Sequence, residues 1–331
     1  QAQNINGRIT SSVYSFERHE AAGVSNKYNR TFQMLNLNVS QGDFTLRTNF
    51  NLENDFTQKM DFDPRLRFNH LYLEGRNLFD VATLRLGRQP LFAGVASGLF
   101  DGISVNTRFS NYRVFAYFGG NVPEYQKLEL TDQFDKDFVA GGKITAVIFE
   151  NMQLGVSYVN KNFKPTEYSA IRLDDNFNPV SVLVQRDANQ FQFLSGDVSY
   201  VMPDYFSVDA RYDYDMNFKT TSKFELLGRY DQIENLGISL YYNFRKPTIR
   251  YNSYFAMFNV YNTQEIEAGV DYQLGKLMTI TGKFGNVIYE DDNSQRITIG
   301  ASSRNASIQY RKSLGYAGEL DAISVHGAYS F

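Results

Sequence analysis

The chain has 331 residues and a formal net charge of −3, and its residues are 43% hydrophobic, 15% aromatic and 21% charged. It contains no Cys, which excludes a disulfide framework, a Cys-ligated zinc site and a thiol nucleophile. The balance of 33 basic against 36 acidic side chains gives no indication of nucleic-acid binding. No stretch approaches the roughly 18 uninterrupted apolar residues of a membrane-spanning helix, whereas 23 Tyr and 28 Phe favour β-strands.

Apolar and polar side chains alternate along most of the chain. Residues 43–53, 206–215 and 265–274 each alternate with a period of two over their whole length. Because successive side chains of a strand point to opposite faces, each run has one apolar and one polar face. Strands of soluble domains are usually about five or six residues long, whereas a membrane-crossing strand needs about 9–11. The length of these runs favours a transmembrane barrel over a soluble sandwich.

Eighteen such segments are predicted, separated in turn by tight turns and by longer polar loops. They cover residues 8–18, 28–40, 43–54, 65–75, 81–90, 102–109, 112–120, 137–149, 152–162, 190–201, 205–216, 221–232, 236–245, 263–274, 277–289, 295–302, 306–313 and 319–331. The predicted fold is therefore an all-β, closed antiparallel transmembrane β-barrel, with short periplasmic turns and long extracellular loops. Sixteen strands are the alternative to 18, because residues 245–263 and 295–302 are ambiguous.

Residues 1–331 are predicted to form a single barrel domain, and residues 1–7 are predicted to form a short periplasmic N-terminal segment. Residue 1 is Gln rather than Met, so a processed or trimmed chain is expected. No globular segment precedes the first predicted strand, and a pore is therefore expected rather than a receptor that carries a plug domain.

The last residues of the sequence place Ile323, Val325, Gly327, Tyr329 and Phe331 on one face of a strand. This ending resembles the final strand of bacterial outer-membrane β-barrel proteins. The resemblance implies that Tyr329 and Phe331 belong to a signal that the barrel-insertion machinery recognises.

Four segments in the first third of the chain resemble porin-like barrels of Gram-negative bacteria. They are HLYLEG (70–75), LRLGRQ (84–89), GVASG (94–98) and FDGISV (100–105). The resemblance is one of pattern over the whole chain. It implies a location in the bacterial outer membrane, in contact with lipid and lipopolysaccharide, and a water-filled channel for the passive diffusion of small hydrophilic solutes or ions.

If the apolar face of each strand meets lipid, the opposite face lines the pore. The predicted basic lining comes from the third to eighth strands: Arg47, Arg65, Arg67, Arg85, Arg108 and Lys143. The predicted acidic lining comes from the tenth to fourteenth strands: Asp197, Asp209, Asp213, Glu225, Asp231, Glu265, Glu267 and Asp271. One hypothesis is a basic wall opposite an acidic wall, whose field orders water and favours small polar solutes. The other is an ordinary polar lumen in which the charges pair with neighbours or are solvated.

Two connections are candidates for an inward fold that narrows the pore. Residues 91–100 carry Gly94 and Gly98 between apolar residues, and they form either a constriction or a surface hairpin whose glycines serve the turn. Residues 161–190 form the longest loop and are the second candidate.

The leading interpretation is a porin that is not an enzyme and needs no cofactor. His19, His70 and His326 are scattered and lack the spacing of a metal site, so no metal is expected. Two alternatives remain open: a barrel that sheathes a multihaem cytochrome, and an accessory barrel of a secretion or surface-anchoring complex. A homo-oligomer or a partner protein is compatible with each interpretation.

Overall fold

The computed structural model describes residues 3–21, 23–57, 64–164, 168–173, 177–184, 189–251, 253–258 and 261–329. Apart from turns and irregular connections, this part of the chain consists of β-strands and two 3₁₀ turns, Glu124–Gln126 and Tyr254–Met257. Within these ranges, neither helical segment has the length and apolar character that crossing a membrane requires.

Twenty strands follow one another in the described residues. They are β1 (Asn4–Ala21), β2 (Val24–Gln41), β3 (Phe44–Asp55), β4 (Arg65–Leu78), β5 (Ala82–Ala93), β6 (Ala96–Phe109), β7 (Tyr112–Asn121), β8 (Phe138–Ile148), β9 (Met152–Asn162), β10 (Tyr168–Leu173), β11 (Pro179–Val184), β12 (Phe191–Met202), β13 (Phe206–Asp215), β14 (Thr220–Ile233), β15 (Leu236–Arg245), β16 (Thr263–Leu274), β17 (Met278–Ile288), β18 (Asn293–Ser303), β19 (Ala306–Gly315) and β20 (Leu320–Gly327). Eighteen of them belong to one antiparallel sheet, and β10 and β11 form a separate hairpin. The prediction of an all-β, antiparallel fold is confirmed.

The structure corrects one prediction about the connections and defines two others more closely. Strand β1 begins at Asn4, so residues 4–7 are part of a strand rather than a preceding segment. Residues 91–100 form a hairpin, the second of the two predicted alternatives, because β5 and β6 continue through them, pair Ala93 with Ala96 and leave a two-residue turn that contains Gly94. Residues 161–190 contain the β10–β11 hairpin.

The chain divides into two compact units. Unit 1 comprises Gln1–Ile144 and Tyr158–Gln190, and unit 2 comprises Thr145–Ser157 and Phe191–Phe331. In unit 1 one apolar row runs in register across five neighbouring strands: Leu46, Leu73, Leu86, Ile103 and Phe118. All five of these side chains are exposed. A continuous exposed apolar row of this kind marks a surface made for a nonpolar environment.

A β-bulge at Asn69 determines which side chains share the opposite, polar face of unit 1. Asn49 pairs with His70 and Phe50 pairs with Phe68, so Asn69 is the extra residue in β4. Because alternation has a period of two, one inserted residue reverses the faces beyond it. The bulge therefore places Arg65 and Arg67 on the face that also carries His70, Tyr72 and Glu74.

Three glycines in register bring strands β4 to β7 close together. Gly102 pairs with Gly87 on one side and with Gly119 on the other. A Cβ atom at Gly87 would overlap the carbonyl oxygen of Leu71, and one at Gly102 would overlap that of Phe118. Gly87 also has a φ of +121°, which an L-residue rarely adopts.

The buried core of unit 1 lies beside this glycine row, towards the β5–β6 turn. Phe100 is completely buried, and Leu91, Arg88 and Gln89 are nearly so. Two of these four side chains are polar, so this core depends on satisfied hydrogen bonds as much as on apolar packing.

We expect Gly102→Ala to lower the free energy of unfolding by about 1–3 kcal/mol, because the added methyl group forces β6 and β7 apart. Unfolding in urea of protein refolded into lipid vesicles measures this change. Gly282→Ala in β17 is the control, because a Cβ atom there meets nothing within 4 Å. Equal losses in both variants would contradict the role of close strand approach.

Candidate functional site

Three guanidinium groups converge on one buried carboxylate in unit 1. Arg85 Nε donates to Glu74 Oε2 at 2.7 Å, Arg76 Nε donates to Oε1 at 2.6 Å, and Arg47 Nη2 donates to Oε1 at 3.1 Å. The Glu74 side chain is 1% exposed, whereas the three arginine side chains remain 31–50% exposed. The cluster therefore carries surplus positive charge on groups that solvent reaches.

A second cluster on the same polar face surrounds Glu53. Its carboxylate lies 3.5 Å from Arg67 Nη2 and 3.9 Å from Arg65 Nη1. The hydroxyl of Tyr14 donates to Glu53 at 3.4 Å. Together the two clusters place five arginines against two glutamates along β3, β4 and β5, and this surplus makes the face electropositive.

A buried ion pair joins β5 to β6 and also holds the loop between β7 and β8. Arg88 donates to both oxygens of Asp101 at 2.7 Å, and the two side chains are only 1% and 3% exposed. Arg88 Nη1 donates to the carbonyl oxygen of Gln126 at 2.8 Å, and Nη2 donates to that of Glu129 at 3.4 Å. One buried cation thereby ties residues 122–137 to the sheet.

Further contacts hold the same loop against the polar face of unit 1. The guanidinium of Arg65 lies 5.0 Å from the ring centre of Tyr125, which is a cation–π distance. A Cβ atom at Gly120 would meet side chains of the loop, among them that of Phe134 at 3.2 Å. Near the far end of the loop, Asn121 Nδ2 donates to Asp137 at 2.6 Å. The contact with Arg65 places Tyr125 over the polar face, and the sequence-based prediction did not select this loop, residues 122–137.

The exposed side of this loop carries a weaker contact. Lys164 Nζ lies 3.2 Å from Asp132 Oδ1, and both side chains are more than half exposed. The hydrogen bond from Lys164 lowers the pKa of the Asp132 carboxyl. An exposed pair of this kind contributes little to stability.

Most of the predicted acidic residues of unit 2 are paired with cations. Asp213 accepts hydrogen bonds from Ser195 Oγ at 2.5 Å and from Arg211 Nε and Nη2. Arg229 lies between Asp231 and Asp271, and Arg296 between Glu265 and Glu267. Glu225 contacts Lys223 and accepts a hydrogen bond from Tyr241 at 3.1 Å. Six of the eight predicted acidic residues thus have a cation within salt-bridge distance.

A net negative surplus nevertheless remains in unit 2. Asp197 is half-buried and Asp209 is exposed. With these two, the eight predicted acidic residues stand against five cations of the same unit that pair with them: Arg211, Lys223, Arg229, Lys283 and Arg296. Of the other predicted site residues, Arg108 is exposed in β6, Lys143 is half-buried in β8 and Tyr329 is exposed. Phe331 lies outside the described residues.

Sequence reasoning missed four members of these clusters: Glu74, Arg76, Arg88 and Asp101. Arg88 was detectable in principle. It continues the series Leu84 and Leu86 at a spacing of two, so alternation assigns its position to the apolar face. A cation out of phase with its strand needs a buried partner or an irregular backbone. Arg76 gave no such signal, because it lies just after Gly75, where the β4–β5 register shifts.

Long antiparallel strands with one exposed apolar face and one charged face define the architecture of an outer-membrane porin. Among solved structures, the chain is similar to OpdQ of Pseudomonas aeruginosa, with 9% identity, 98% of this chain and 95% of that chain covered, and a TM-score of 0.51. A double variant of OccD1 (OprD) matches with 10% identity, 98% and 93% coverage and a TM-score of 0.51. A BenF-like porin from Pseudomonas fluorescens Pf-5 has 10% identity, 99% and 98% coverage and a TM-score of 0.48.

No protein-family model matches the chain, and no curated protein sequence matches it. At identities this low the structural likeness shows the fold alone. That fold is the porin-like β-barrel fold of Gram-negative outer-membrane proteins, and the resemblance drawn from the sequence is confirmed.

We expect Asp101→Asn to cost about 3–5 kcal/mol of unfolding free energy, because it leaves the buried guanidinium of Arg88 without a counter-charge. It should also expose residues 122–137 to protease, because the same guanidinium holds that loop. Urea unfolding and limited proteolysis in detergent measure the two effects. Lys164→Ala, which breaks only the exposed pair, should leave stability and protease resistance nearly unchanged. Similar losses in both variants would contradict the assigned role of Arg88.

Proposed function

We propose that the protein is an outer-membrane channel through which small hydrophilic solutes or ions diffuse passively. The observation that carries the proposal is the division of the strands into an exposed apolar face and a charged opposite face, which each unit shows by itself. A sheet with these faces suits lipid on one side and water on the other. The function requires no reaction chemistry and no cofactor.

The proposed channel is a closed barrel, completed by antiparallel pairing of the first and last strands. In the described registers β1 pairs with β2, and β20 pairs with β19. A free strand edge in hydrocarbon leaves unsatisfied amide and carbonyl groups that cost several kcal/mol each. Closure removes both edges, and it supports the proposed place of the protein in the outer membrane, in contact with lipid and lipopolysaccharide.

The proposed selectivity depends on the surplus charge of each unit. The arginine clusters around Glu74 and Glu53 raise the local concentration of anions near β3–β5. The carboxylate surplus of unit 2 attracts cations to its own polar face. A role of Tyr329 and Phe331 in insertion stays a prediction. Assembly into a homo-oligomer or with a partner protein also stays a prediction.

We expect neutralising three arginines of unit 1, with Arg47→Gln, Arg65→Gln and Arg67→Gln combined, to shift permeability towards cations. Glu74 keeps Arg76 and Arg85 in this variant, so the buried carboxylate remains paired. The reversal potential in planar bilayers under a KCl gradient measures the shift. The control removes the same charge from exposed connections: Lys164→Gln, Lys276→Gln and Arg304→Gln. An equal shift in the control would refute a specific role for the clusters.

We propose that residues 122–137 form the constriction of the channel. Replacing residues 124–129 with a short Gly-Ser linker should raise single-channel conductance, because the removed segment covers the polar face of unit 1 beside Arg65 and Arg88. Replacing residues 168–184, whose two strands pair only with each other in the described structure, is the control and should leave conductance unchanged. Unchanged conductance after the first replacement would reject this constriction.

A further inference from the structure

In unit 2, a glycine of β15 lies directly beneath a charged side chain. Gly237 pairs in register with Asp271 of β16, which places both residues on the polar face. A Cβ atom at Gly237 would overlap Nη2 of Arg229 and would come within 2.9 Å of Asp231 Oδ1. The missing side chain is therefore what allows the guanidinium to occupy this position.

The guanidinium above Gly237 is held on both sides. Its Nε donates to Asp231 at 2.9 Å, and its Nη1 donates to Asp271 Oδ2 at 2.9 Å. The other oxygen of Asp271 accepts a hydrogen bond from Thr281 Oγ1 at 2.7 Å. These bonds fix Arg229 across β14, β15 and β16, and an open cavity of about 300 Å³ lies beside it.

Two other glycines of unit 2 also lie beside polar or charged side chains, but no charged atom would overlap an added Cβ there. Gly285 lies beneath the pair formed by Glu267 and Arg296, with Glu267 Oε2 at 3.4 Å and Arg296 Nη2 at 3.6 Å from an added Cβ. Gly269 lies beneath Ser239 and the stem of Lys283, whose Nζ contacts Glu267 at 3.4 Å.

Glycines elsewhere in the chain have different surroundings. In unit 1, a Cβ atom at Gly87 or Gly102 would meet the backbone of an adjacent strand rather than a charged group. Gly282, one residue out of phase with Lys283 on β17, faces open space. At these three positions an added Cβ would not meet a charged side chain, in contrast to Gly237.

We propose that Gly237 is a selectivity-determining position of the channel, because it lets the guanidinium of Arg229 lie flat along the wall between two carboxylates. This inference rests on the proposed channel function. With the cation held against the wall, the ion pair leaves the lumen wide. The local charge seen by a passing ion is that of two aspartates against one arginine.

A methyl group at position 237 would take the space of Nη2 and force the guanidinium off the wall. The displaced side chain then points into the lumen, narrows it and adds positive potential there. Gly237→Ala is therefore expected to reduce single-channel conductance and to lower the ratio of cation to anion permeability by about twofold, as when one exposed ion pair opens.

The test uses the full-length protein in planar bilayers, with conductance and reversal potential as readouts. Gly282→Ala adds the same methyl group to the apolar face and should conduct like the wild type. The decisive comparison is made with Arg229→Gln, which removes the colliding nitrogen. Adding Gly237→Ala to that variant should change neither readout further.

Two results would overturn the inference while leaving the channel function intact. In one, Gly237→Ala behaves like the wild type. In the other, Gly237→Ala causes the same loss when it is added to the Arg229→Gln variant as when it is made in the wild type, which would mean that the methyl group disturbs the backbone alone. A wild-type protein that inserts but does not conduct would instead refute the proposed function itself.

Discussion

Backbone amide and carbonyl groups placed in hydrocarbon have no water to bond to, and this constraint accounts for the organisation of the chain. It requires each strand to be long and hydrogen-bonded along both edges. The two faces of the sheet can then differ only in their side chains. One face must then be apolar. The row formed by Leu46, Leu73, Leu86 and Ile103 shows the result, because aligned register makes the alternation of four separate segments into one continuous apolar surface.

Placing most charges of the strands on the other face creates a second requirement. Long charged side chains on adjacent strands are about 5 Å apart, so like charges repel unless opposite charges lie between them. Unit 2 meets this requirement with alternating partners, as in the series Lys283, Glu267 and Arg296. Unit 1 meets it differently, because Arg47, Arg76 and Arg85 share the single carboxylate of Glu74. The first arrangement pairs carboxylates with cations but keeps a carboxylate surplus, and the second keeps a surplus of partly exposed guanidinium groups.

The strands were largely predictable from the sequence because alternation is a local property that lipid enforces. The irregular positions were not. Residues 91–100 contain two glycines among apolar residues, and sequence alone does not distinguish an inward loop from a continued hairpin. The strand register shows that the hairpin continues, since Leu91 pairs with Gly98 and Ala93 pairs with Ala96. Arg65 and Arg67 share the polar face with Tyr72 and Glu74 only because of the bulge at Asn69, which sequence alternation alone does not reveal.

The covering loop escaped prediction for a related reason. Residues 122–137 have no strong period, and their position depends on Arg88 and Asp101, which are distant in sequence from the loop. Such a site is a product of tertiary structure: a buried guanidinium needs acceptors, and backbone carbonyls of a nearby segment supply them. A charged residue at a position where alternation predicts an apolar one is the local sign of such a buried ion pair. Arg88, which follows Leu84 and Leu86, is an example.

The glycines show most clearly that the sequence alone does not determine the role of a residue in the sheet. Gly87 and Gly237 both interrupt alternating strands and look equivalent in the sequence. Their partners differ, because Gly87 lies between Tyr72 and Gly102, whereas Gly237 lies opposite Asp271. At Gly87 the absent side chain lets two backbones approach, so its effect is on stability. At Gly237 the absent side chain leaves room for a guanidinium, so its effect is on the charge and width of the polar face. A glycine can thus be assigned to one role or the other only when its register partner is known.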